Sequence, residues 1–182
     1  MLHNGQLNAR PSLVPSWRFA GSGGRVAGGG FIFNAMLETL KIGDQLLAVI
    51  VYRDFDKPGI HFFTPNDLSQ QLAYMHHPAG KVIDPHVHNP VSRNVQYTQE
   101  VLFIKRGRLR VDFYDNDRNY IESRILQGGD VILLATGGHG FEVLEEIEMI
   151  EVKQGPYAGD QDKTRFDGIT VDQVTIGEGS IG

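Results

Sequence analysis

Four side chains have the types and the spacing of a metal site: His86, His88, Glu100 and His139. His86 and His88 are two residues apart in a segment that reads as a strand, so both imidazoles face the same side. Asp84 shares that face, and Pro85 and Val87 point the other way. Two steps along a strand separate the pair by about 6–7 Å at the Cα level, a workable distance for two ligands of one ion. Glu100 opens the following strand, and His139 begins a later one after the turn Thr136-Gly137-Gly138. Three neutral imidazoles and one carboxylate meeting in an interior make a mixed nitrogen and oxygen donor set, which suits Mn, Fe, Co, Ni, Cu or Zn better than Ca or Mg. The plain alternative is a His-x-His pair that is exposed or hydrogen-bonded without metal, and a Glu100 that is a surface strand residue. His76 and His77 in the preceding strand read as structural or surface residues, and His3 and His61 carry no pattern.

The elements that must position these groups are strands. Residues 46–53 (LLAVIVYR) are apolar and β-branched; 71–77 and 81–88 follow, separated by Pro78-Ala79-Gly80. Residues 97–105 and 108–115 come next, with Arg106-Gly107 as the turn between them. In the second, Leu109, Val111 and Phe113 alternate with Arg108, Arg110 and Asp112, the period-2 pattern of a half-buried strand. The polar loop Asp115-Asn116-Asp117-Arg118-Asn119 leads to a strand at 120–126. Strands at 131–135, 139–144 and 148–153 complete the series. No amphipathic helix of 10 or more residues is present, and residues 68–72 allow one short turn. Short strands with glycine-rich turns predict an all-β antiparallel sandwich or closed barrel.

Composition bounds the rest. At 182 residues the chain suits one domain, with a core large enough to need no staples. The absence of Cys excludes a thiolate nucleophile, a Cys-type zinc site and a disulfide framework. A formal charge of −5 argues against a nucleic-acid partner, and no apolar run approaches the length of a membrane span. Residues 1–35 hold Arg10, Arg18 and Arg25, no acid and seven glycines, so this stretch carries +3 and the remaining 147 residues −8. It has too little to bury to offset its ordering entropy, and it reads as a flexible extension ahead of a barrel at 36–153. Its glycines leave no amphipathic helix of the transit-peptide kind. Residues 154–182 are expected to wrap the outside or fray. No GxSxG, HExxH or Walker sequence is present, and no helix follows Gly137-Gly138 to make a phosphate loop.

Around these residues the sequence resembles the cupin superfamily. Its first motif is matched by Gly80, five residues, His86-Val87-His88, a gap, Glu100, six residues and Gly107. Its second is followed from Gly129 to His139, with Ala135 where proline is usual and one residue fewer before the histidine. The gap of eleven residues between His88 and Glu100 exceeds the family's three or four and reads as a lengthened hairpin; in another register Gln96 or Gln99 would stand in for Glu100. The resemblance covers residues 72–153. It implies a jelly-roll (double-stranded β-helix) barrel holding one divalent metal (Mn, Fe, Ni or Zn) on His86, His88, Glu100 and His139.

The implied functions are a metal-dependent isomerase, epimerase or dioxygenase acting on a carbohydrate or small polar acid, or alternatively a non-catalytic metal- or ligand-binding cupin. Arg93, Gln96 and Tyr97 in the lengthened loop, and Tyr157, Lys163 and Arg165 in the tail, are candidate ligand contacts. Asp84, His77 and Tyr97 are the nearby ionisable groups outside the donor set. A cytoplasmic homodimer with a small-molecule ligand, and no nucleic-acid or membrane partner, is expected.

Overall fold

The structure, a computed structural model, describes residues 36–177. The extension at 1–35 lies outside the described residues, as do the last five of the tail. Two strands, β1 (Leu37–Ile42) and β2 (Gln45–Val51), form an antiparallel hairpin. β2 shows no alternation because both of its faces are covered. Leu47, Ala48 and Ile50 join one core with Leu102, Leu109, Val111, Phe113 and Leu126. Leu46, Val49 and Val51 join a second with Leu72, Val101 and Leu133, closed over by Phe55, Phe63 and Leu68. Phe63 and Leu72 of that second layer flank a small separate hairpin, β3 (Gly59–Phe62) with β4 (Ala73–His76).

The centre of the fold is β5 (Glu100–Tyr114), a strand of 15 residues. Along one edge it pairs first with β7 (Val131–Leu134) and then with β6 (Tyr120–Gln127); along the other it pairs throughout with β8 (Gly138–Lys153). β7 in turn pairs with β2, giving a six-stranded antiparallel sheet. Its register forces curvature. The first residue of β5 lies opposite Leu134 and the last opposite Gly138, four residues further on. A straight strand of this length would hold those ends about 46 Å apart, whereas four residue steps span at most about 14 Å. The sheet therefore curls into a half-barrel that brings the two ends of β5 together. A buried ion pair braces it: Arg124 on β6 donates through Nε and Nη2 to Glu38 Oε1 on β1, at 2.9 and 2.6 Å, and Tyr52 donates to Glu38 Oε2.

The all-β expectation holds, and several boundaries differ. Arg106-Gly107 is no turn: β5 runs through it, and the break expected near 145–147 is likewise absent from β8. The two irregular stretches lie opposite each other, with register shifts between Ile104 and Leu109, so the strands bend together rather than reverse. Gly107 has φ 87°, and a Cβ there would lie 2.0 Å from the Glu146 carbonyl oxygen. The strand expected at 81–88 is absent: residues 78–98 form an exposed arm that joins no helix or strand, in which Pro85 and Pro90 offer no N–H to a ladder. β4 is shorter than expected, and β1 and β3 lie outside every strand expected from the pattern. The tail is anchored at 175–177, where Ser123 N donates to Thr175 O and Gly177 N to Ser123 O.

Candidate functional site

The curl brings two of the four candidate donors together. His139 leaves β7 through a turn pinned to β2: Thr136 Oγ1 donates to Leu46 O at 2.7 Å and accepts from Gln45 Nε2 at 2.9 Å. Gly137 then adopts φ 76°, where a Cβ would meet the Tyr114 carbonyl oxygen at 2.5 Å. Only glycine allows the chain to pass so close to β5 and deliver His139 inward. There its Nε2 stands 3.1 Å from Glu100 Oε2. Lys153, directly opposite Glu100 in the β5–β8 register, places Nζ 3.4 Å from Oε1. The hydrogen bond from His139, with help from the Lys153 charge and against the effect of burial, lowers Glu100 from an ordinary 4.5 to about 2. It is a carboxylate throughout the physiological range.

These groups line a cavity of about 780 Å³. Residues from the tail form one wall: Phe166 packs edge-on against Tyr114 with ring centroids 5.0 Å apart, and Ile169 N donates to Tyr114 Oη. Thr98 Oγ1 donates to Asp162 Oδ1 across the rim at 3.3 Å. Lys163 and Arg165 line the space, as do Gln96 and Tyr97 at the trailing end of the arm. Tyr157 is not part of the lining; its ring lies 5.7 Å from Lys153 Nζ.

His86 and His88 are on the exposed arm, with ring centroids 5.2 Å apart. His86 Nδ1 stands 2.9 Å from the Asp84 carbonyl oxygen. A carbonyl only accepts, so Nδ1 carries the proton and Nε2 of the neutral ring keeps its lone pair, the arrangement metal-binding histidines adopt. Asp84 thus meets its neighbour through the backbone. Among the described residues no three His, Asp or Glu side chains converge. Gln99 is no substitute donor: its side chain is buried, accepting from Ser69 Oγ and Gln70 N. Arg93 is exposed on the arm. His77 Nε2 is buried with no hydrogen-bond partner.

His139 Nε2 and Glu100 Oε2 stand 3.1 Å apart, at hydrogen-bond distance. Two ligands about 2.1 Å from one ion are separated by about 3.0–3.4 Å, so an ion that displaced the His139 proton would fit between them. Sequence reasoning passed over Lys153, Tyr114 and Phe166, whose places depend on long-range register and on the path of the tail. The one local signal is Glu151-Val152-Lys153, which sets an acid and a base on the same face of the closing strand. Compared with protein-family models, with curated proteins and with solved structures, the chain has no match. No helix among the described residues is long and apolar enough to cross a membrane.

Proposed function

We propose that this protein is a metal-binding cupin, a jelly-roll barrel in which His86, His88, Glu100 and His139 hold one divalent transition metal, Mn, Fe, Ni or Zn, beside a cavity for a small polar ligand. The observation that supports it is the meeting of Glu100 and His139 at 3.1 Å from opposite ends of the curled sheet. The donor types suit these metals. When bound, the metal supplies a Lewis acid that polarises a carbonyl or hydroxyl group.

The rest of the work falls to the chain. Lys153 Nζ holds one oxygen of Glu100 and so orients the carboxylate. Tyr114 and Phe166 keep bulk water from one side of the cavity. Lys153 and Tyr97 are ionisable groups at the cavity outside the donor set, which proton transfer to a bound ligand requires. Their presence favours an isomerase, epimerase or dioxygenase acting on a carbohydrate or small polar acid over a non-catalytic binding protein. The proposal includes a cytoplasmic setting, a homodimer, and no nucleic-acid or membrane partner.

Calorimetric titration of metal-free protein with Mn, Fe(II), Ni and Zn tests the site. One ion bound per chain, with affinity at least tenfold weaker in His139→Ala and in Glu100→Gln, is expected. Failure of the parent to bind any of the four, or unchanged affinity in the double variant, overturns it.

A further inference from the structure

The half-barrel leaves a long edge bare. Among the described residues β8 pairs on one side only, and none of its sixteen residues is buried. Phe141, Val143, Ile150 and Val152 are exposed along it. An unpaired edge of this length is ordinarily covered, because it offers a row of free N–H and C=O groups to any passing strand. A second β8 is a poor cover. Antiparallel pairing about the strand's centre sets Glu145 and Glu146 of one copy against the same residues of the other, and would crowd carboxylates already engaged by Arg108 and Arg106 of β5.

The same chain carries the complementary piece. The arm at 78–98 is exposed over all 21 residues and, after a turn at 79–80, joins no helix or strand. Val82, Ile83, Val87, Val91 and Val95 stand in solvent, and its charge is +1 from Lys81, Arg93 and Asp84. Among the described residues, its inner part bonds only to itself: Lys81 N to Pro78 O, His86 Nδ1 with Asp84 O, and Arg93 Nη1 to Val91 O.

Both feet of the arm are fixed. His76 is held by Asp56 at 2.7 Å, and Gln99 N donates to Gln154 Oε1 at 2.6 Å. Pro78, Pro85 and Pro90 favour an extended course between them. His86 and His88 sit close to the middle of the loop, the part that reaches furthest from either foot. To meet the Glu100 of its own chain, which lies one residue beyond the trailing foot, the segment after His88 would have to double back on itself. Kept extended, it reaches about 30 Å, enough to lie on a neighbouring molecule.

We infer that two copies of this chain exchange these arms, each arm covering the open β8 of the other copy and bringing His86 and His88 to the partner's Glu100 and His139. This rests on the metal-site reading above and adds to it that each site is composite, built from two chains. Some 21 residues contributed by each arm match the size of a standard stable interface, about 20–30 residues a side.

Complementation between dead chains tests this. His86→Ala/His88→Ala carries an intact sheet half, and Glu100→Gln/His139→Ala carries an intact arm. The two are given different tags, co-expressed and purified through both tags. Circular dichroism like the parent's, measured on each variant, checks that both fold. Exchange predicts that the mixed dimer holds one metal per two chains, half the parent content, while each variant alone holds none. Mixed dimers as empty as the separate variants, from a parent that binds metal, overturn the exchange and leave the site within one chain.

A readout without metal covers the case of a parent that binds none. The chain has no Cys, so Val87→Cys takes a single benzophenone label. Irradiation is expected to give covalent dimers. Crosslinks only within one chain, or a monomer in sedimentation, refute the exchange independently of any metal.

Discussion

Arg124 is the side chain whose loss should be felt most in the fold. Its guanidinium is 4% exposed and gives both Nε and Nη2 to Glu38, which is fully enclosed. Replacing it by methionine (Arg124→Met) keeps the apolar volume and leaves Glu38 with a single donor, the Tyr52 hydroxyl at 2.8 Å. Removing one partner of a buried pair costs about 3–5 kcal/mol, because the remaining charge stays desolvated. That is a large share of the about 5–15 kcal/mol by which a domain is stable. With a urea dependence of about 2 kcal/mol per molar, the unfolding midpoint should fall by about 2 M. Arg124→Met combined with Glu38→Leu removes both charges and should return to within about 1–2 kcal/mol of the parent. The assay is urea unfolding of parent, both single variants and the double variant, read by tryptophan-independent far-ultraviolet circular dichroism. A loss below about 1 kcal/mol in Arg124→Met, or a double variant whose loss equals the sum of the singles, would refute the view that Glu38 is held by Arg124.

Three other outcomes follow from the same geometry. Gly107→Ala sets a Cβ against the Glu146 carbonyl at 2.0 Å with φ at 87°, so it should destabilise by at least about 2 kcal/mol and lower the thermal midpoint, whereas Gly43→Ala, with open space around it, should cost only the left-handed backbone penalty of about 1–2 kcal/mol. In metal-free protein the depressed Glu100 contributes stability that is fully present above about pH 4.5 and lost as the pH falls through about 2, so denaturant unfolding should show an acid limb of order 2–3 kcal/mol that Glu100→Gln flattens. Phe166→Ala removes the edge-on contact with Tyr114, worth about 1 kcal/mol, and should speed hydrogen exchange at the Ile169 amide, which bonds Tyr114 Oη at 3.2 Å; exchange unchanged there would place the tail's anchor elsewhere.

The strands that alternate or run apolar were legible because their burial is local in origin. Leu109, Val111 and Phe113 are buried as their period says, and the run at 46–51 is buried on both faces. The half-buried expectation for 108–115 fails, because Arg110 and Asp112 are buried as well, Arg110 Nε donating to Asp112 Oδ1 at 2.8 Å. Arg106-Gly107 misled because a glycine between two apolar runs has the composition of a hairpin turn; here it marks a bend shared with the opposite strand, which no local pattern distinguishes. Residues 81–88 have strand-like composition but no partner strand among the described residues, and Pro85 and Pro90 weaken any ladder. Glu100 and His139 stand out by residue type and spacing, but that they meet depends on the curl of the sheet. That Lys153 faces Glu100, and that the tail returns to place Phe166 on Tyr114, depends on pairings over 50 residues of sequence, which spacing does not encode.

The most direct test of the account is metal content by elemental analysis on protein purified without an affinity metal column, for the parent, His86→Ala/His88→Ala and Glu100→Gln/His139→Ala. Close to one Mn, Fe, Ni or Zn per parent chain, and near none in either variant, is expected. A parent that is empty and stays empty after all four metals are added back, or variants that keep the parent's content, would contradict it.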